Sequence, residues 1–100
     1  MGYEPYYRSD SRSSTVASVV RLVVGLVVTI FCLHILFVVL GANEGNSFVT
    51  LVYALAKTLV LGFGDVFTPH DALIGLVLNY GLAAVVYLVV GELIVKALRR

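Results

Sequence analysis

Two long apolar runs limit what this chain can fold into. Leu22 to Leu40 reads LVVGLVVTIFCLHILFVVL, and Ala72 to Val90 reads ALIGLVLNYGLAAVVYLVV. Neither holds a formal charge when His34 is neutral, and Asn79 is the strongly polar residue of the second. A helix of about 20 residues, rising about 1.5 Å per residue, crosses the roughly 30 Å hydrocarbon core of a bilayer. The 100 residues are 60% hydrophobic and 13% charged, far from the soluble average. The expectation is an all-α integral membrane protein: two transmembrane helices, about 16–42 and about 69–98, forming a hairpin. The first run is longer than a secretory signal's apolar region and a second span follows it, so it reads as an uncleaved anchor.

Charge placement gives an orientation. Arg8, Arg12 and Arg21 precede the first run, Lys96, Arg99 and Arg100 follow the second, and Lys57 alone lies between. By the positive-inside rule both termini are cytoplasmic, and a bacterial plasma membrane is the expected home of so short a hairpin. A net charge of +1, with basic residues near the ends of apolar runs, excludes a nucleic-acid groove. Cys32 is the single cysteine, so no internal disulfide forms, and its apolar neighbours read as packing around an unreactive thiol. The tail over residues 1–15 is polar and Ser-rich and reads as disordered, with Tyr3, Tyr6 and Tyr7 suited to the headgroup boundary.

The segment between the runs carries most of the information. Asn43-Glu44-Gly45-Asn46 is a turn cluster, and Ser47 is placed to cap a helix over about 48–61. Phe48, Leu51, Val52, Leu55 and Leu59 recur at helical spacing, while Thr50, Ala54, Lys57 and Thr58 form a narrower polar or small stripe. A helix of about 14 residues is too short to span, so it either lies in the interface or re-enters the membrane packed against protein. On an interfacial helix, Lys57 extends its ammonium to water at little cost.

Gly62-Phe63-Gly64-Asp65 resembles the second half of a potassium-channel filter, and the order helix, short helix, Gly-rich turn, helix is that of a two-helix pore module. The first half differs. Val60 stands where the filter threonine would supply the innermost hydroxyl, Leu61 replaces the usual valine, and Lys57 would oppose cation entry. The simpler reading of the same residues is a turn. Gly62 would end the short helix in a left-handed cap, Gly64-Asp65 would turn the chain, and Thr68 would cap the next helix with Pro69 at its first position and Asp71 three residues after the cap. With His70 and Asp71 used at a helix start, they make a poor metal cage.

Four polar residues mark the spans. His34 follows Arg21 by 13 residues and Asn79 precedes Glu92 by 13, so an antiparallel hairpin puts His34 level with Asn79 and Arg21 level with Glu92. These spacings predict a His34–Asn79 hydrogen bond in mid-membrane and an Arg21–Glu92 contact, although 13 residues also turn a helix by about 140°. Gly75, Asn79 and Ala83 form a small-polar-small stripe that would let another helix approach closely.

Val16–Arg100 resembles one repeat of the YggT-like bacterial membrane proteins, in which a membrane helix, a short amphipathic helix, a proline-containing turn and a second membrane helix follow in order. The residues carrying the resemblance are FVTLVYALAKTLVLGFGDVFTP followed by ALIGLVLNYGLAAVVYLVV. Where members commonly carry an acidic-Pro pair in the short helix, this chain has Lys57-Thr58. The resemblance implies no enzyme activity and a loose association with membrane organisation, cell division and assembly of membrane complexes. Residue by residue, Glu44, Asp65 and Asp71 lie in loops without a definable pocket, and the serines cluster away from both histidines. The expected function is a non-catalytic accessory or scaffold subunit that binds no cofactor, sits in the lipid bilayer, and self-associates or joins a larger membrane complex; the alternative is a potassium-pore subunit.

Overall fold

A computed structural model describes the backbone over residues 4–98 and the side chains over residues 14–98. Within it the chain is helical throughout: α1 spans Glu4–Leu40, α2 Ser47–Leu59 and α3 Ala72–Leu98, with a short 3-10 turn at Leu61–Phe63. Ser14–Leu40 and Ala72–Leu98 are long and apolar enough to cross a membrane. α1 begins earlier than composition implies, its backbone helical from Glu4 where a disordered tail is expected. Extending a helix already nucleated by the apolar run needs only propagation, which polar residues support. The side chains of Tyr3, Tyr6 and Tyr7 and of Arg8, Arg12, Arg99 and Arg100 lie outside the described residues.

The helix starts, and the ends of α1 and α2, differ from the expected ones by a residue or more. α1 stops at a Schellman cap: Gly41 is left-handed (φ 68°), its N–H donates to the Val38 carbonyl (3.2 Å), and the Ala42 N–H donates to the Phe37 carbonyl (2.8 Å). Asn46, not Ser47, caps α2, its Oδ1 accepting from the Phe48 and Val49 N–H groups at 2.9 and 3.3 Å. Asn outranks the expected Ser here because the turn Asn43–Asn46 already sets its extended backbone. Asp71, not Thr68, caps α3 by accepting from Leu73 N–H (2.9 Å) and Ile74 N–H (3.3 Å). Thr68 and Pro69 stay outside the helix, and Pro69 packs instead on Gly75.

α1 and α3 form the hairpin, with α2 laid against α1. The core is small: Val27, Phe31, Ala56, Val60, Tyr80 and Ala83 gather from all three helices. Phe31 is wholly buried and meets Tyr80 and Tyr87 edge-on at ring-centroid distances of 5.7 and 5.6 Å. Large apolar side chains are left on the outer faces of the long helices, among them Leu22, Leu26, Leu36, Leu88 and Leu93. Cys32 is also exposed, which corrects the packed-thiol reading: it sits one position from Phe31, on the other side of α1.

The hairpin is closely packed at Gly91, where a Cβ would lie 2.7 Å from Val24 Cγ2. Gly25, in the same region, has nothing within 4 Å of the equivalent position. Gly91→Ala is expected to cost about 1–3 kcal/mol through overpacking against a stiff β-branched neighbour, and Gly25→Ala to cost nothing. Unfolding of both variants in detergent, followed by circular dichroism, checks the difference.

Candidate functional site

The site is the place where α2 ends between α1 and α3. Aromatic contacts fix how α2 lies: Phe48 meets Phe37 at 6.0 Å and Tyr53 meets His34 at 4.6 Å between ring centroids, while Ala56 and Val60 join Val27 and Phe31. Residue numbers rise along α2 as they fall along α1, so the two run antiparallel. α2 therefore descends beside the first apolar run as far as its middle. Val49, Val52, Ala56 and Val60 form the buried face, at the spacing of an amphipathic helix.

The chain must then turn back. Leu61 adopts the left-handed conformation (φ 55°), and Gly62, the expected left-handed residue, does not. A left-handed Leu costs about 1–2 kcal/mol, so surrounding contacts must hold it. Two side chains from α3 do so. The Tyr87 hydroxyl donates to the Leu59 carbonyl at 2.7 Å, satisfying an otherwise orphaned acceptor at the end of α2. Asn79 binds the returning loop three times: its Oδ1 accepts from the Phe67 N–H (2.7 Å), and its Nδ2 donates to the carbonyls of Gly64 and Phe67 (both 2.9 Å). A backbone N–H can only donate, so the bond from Phe67 fixes which end of the amide is oxygen.

That arrangement corrects the expected His34–Asn79 hydrogen bond. Asn79 is 4% exposed and spends its donors and acceptor on the loop. His34 is 2% exposed and lies between the rings of Tyr53 (4.6 Å) and Tyr80 (4.7 Å), its Nδ1 without a hydrogen-bond partner. The helical rotation explains the outcome, since one interface cannot serve both pairs. The Arg21–Glu92 contact does form, loosely, with Nε 3.9 Å from Oε1 and both side chains more than half exposed. It is the one ion pair among the described residues.

The small-polar-small stripe is covered by its own chain. A Cβ on Gly75 would meet Pro69 Cδ at 3.2 Å and the Phe67 carbonyl oxygen at 3.6 Å, and Ala83, wholly buried, packs with Ala56 and Val60. The stripe therefore admits the returning loop and α2 rather than a helix from another molecule. Gly64 lends its carbonyl to Asn79, and Lys57 lies exposed on the outer side of α2. The roles of Asn79 and Tyr87 as loop anchors carried no local sequence signal, because their partners lie 12 to 28 residues away. No protein-family model matches the chain, and neither does any curated protein or solved structure.

Replacing Asn79 by Leu keeps the branching of the side chain but removes its polar atoms and strands three backbone groups of the loop. At about 1 kcal/mol or more for each unsatisfied buried group, the loss of stability should reach about 3 kcal/mol. Hydrogen exchange at the Phe67 amide that accelerates in the variant by more than exchange at the amides of α1 is the expected signature.

Proposed function

We propose that this chain is a small integral membrane scaffold in which α1 and α3 cross the bilayer, α2 re-enters it, and no chemistry is catalysed. The carrying observation is the loop held by Asn79. Non-helical backbone is tolerated at membrane depth only where its polar groups are satisfied by protein or water, and Asn79 satisfies three of them. Asn79 lies seven residues beyond the start of α3 at Ala72, which places the loop about 10 Å below that end. An interfacial α2 would lie across the ends of the long helices, whereas this one runs along α1.

The outer faces of α1 and α3, rich in exposed Leu and Val, are suited to lipid or to another membrane protein. Both termini face the cytoplasm of a bacterial inner membrane on the distribution of Arg and Lys, and the resemblance to YggT-like repeats fits a role in organising membrane complexes.

The potassium-pore alternative draws support from the order of elements but not from the backbone. A filter presents successive carbonyls to a central axis. Here Leu61–Phe63 forms a 3-10 turn, the Phe63 N–H donates to the Val60 carbonyl at 3.0 Å, and the carbonyls of Gly64 and Phe67 face Asn79. Purified protein reconstituted into liposomes should carry no potassium-selective flux, and Gly64→Ala should leave the trace at the level of empty liposomes. Potassium flux abolished by that substitution would replace the scaffold reading with the pore.

A further inference from the structure

In the re-entrant arrangement, two opposite charges lie where lipid cannot receive them. Lys57 follows Ala56, which packs at the level of Phe31, the midpoint of the run from Leu22 to Leu40. Nine residues, or about 13 Å of helix, separate that level from Leu40, whereas a lysine side chain reaches about 6 Å, so snorkelling does not bring the ammonium to water. Asp65 lies in the loop between Gly64 and Phe67, at the depth of Asn79. Both residues are exposed on the single chain, and among the described residues neither has an ion-pair partner. Their only charged company at depth is each other, and within one chain they do not pair.

The surroundings of Lys57 form more than an isolated point charge. A groove of about 360 Å³ runs along the outer side of α2, lined by Glu44, Thr50, Tyr53, Ala54 and Lys57. The Thr50 hydroxyl is already committed to the Glu44 carbonyl at 2.8 Å, which leaves the Lys57 ammonium and the Tyr53 hydroxyl in the groove beside α2 and the Glu44 carboxylate at its outer end, before α2 begins. The loop tip offers the matching surface: Asp65 beside Val66 and Phe67, which are 50% and 44% exposed.

We propose that Lys57 of one copy pairs with Asp65 of a second copy of this chain, the loop tip of the second seated in the α2 groove of the first. The inference rests on the membrane-embedded reading of α2. Each copy carries one of each charge on separate surfaces, so a closed oligomer about an axis normal to the membrane neutralises every one of them. Identical subunits in one orientation hold both groups at the same depths, and the lysine stem bridges the difference between them. A pair buried this way fixes register, and breaking it on one side leaves an uncompensated charge.

The test uses the full chain with Cys32→Ser, in native membranes. Lys57→Cys and Asp65→Cys chains, coexpressed, should form an intermolecular disulfide, and cross-linking of the oligomer by an independent amine-free reagent should fall at least about tenfold in Lys57→Asp or Asp65→Lys alone. Coexpressing Lys57→Asp with Asp65→Lys should restore it, which a pair within one chain could not do. A monomeric wild type, absence of rescue by coexpression, or labelling of Lys57→Cys by a membrane-impermeant maleimide as fast as Glu44→Cys would each overturn the pairing. Labelling of Leu61→Cys, at the turn after α2 and outside the pair, by the same impermeant maleimide separates the two layers of the argument: labelling as fast as Glu44→Cys refutes the embedding and the pairing together, while a protected Leu61→Cys in a monomeric protein refutes the pairing alone.

Discussion

Asn79 is the contact on which the middle of this protein depends. Its amide supplies one acceptor and two donors to the loop that follows α2, and those three bonds let a chain that has run down beside α1 come back up beside α3. Without them the loop would carry an unsatisfied N–H and two unsatisfied carbonyls into an apolar environment, at a cost that an unfavourable Leu61 conformation would add to. Tyr87 performs the same service one step earlier, at the last turn of α2. Gly75 completes the support by letting Pro69 approach closely, since a Cβ there would lie 3.2 Å from Pro69 Cδ. A polar residue in the second run is thus the foundation of the short helix, not a bridge between the long ones.

Burial follows from that anchoring. Once α2 is held along α1, its Val49, Val52, Ala56 and Val60 face must be covered, and the small residues Ala56 and Ala83 allow α2 and α3 to meet around Phe31. His34 is enclosed as a consequence, its ring packed between two tyrosines with Nδ1 unbonded. Packing between two aromatic faces gives this histidine a structural place in the core.

The long helices were legible from composition and run length, because a predominantly apolar run of about 20 residues admits few alternatives. The helical periodicity of α2 was legible as well, but its buried face was not: Phe48, Leu51 and Leu55, expected on the apolar face, are exposed, and Val49, Ala56 and Val60 are buried beside Val52. What else sequence reasoning missed was long-range and polar. His34 and Asn79 share a depth in the hairpin, and matched depth alone pointed to a bond; the rotation of about 140° over 13 residues decided otherwise, and the loop, 12 to 15 residues upstream, claimed the amide. Helix caps were displaced by short distances for local reasons: Asn46 displaced Ser47, and Asp71 displaced Thr68, each offering a better-placed oxygen to the first free N–H groups. The left-handed residue fell on Leu61 although Gly62 was adjacent, a preference that nothing in the local sequence signals.

Depth is therefore the quantity that decides the account. Spin labels placed singly at exposed positions from Phe48 through Phe67, in bilayers, report it through the ratio of collisions with oxygen and with a polar nickel reagent. The embedded arrangement predicts that depth increases steadily along α2, is greatest near Leu61, and decreases again toward Phe67. A single shallow depth for all of α2 would place the helix in the interface and contradict the account at its centre.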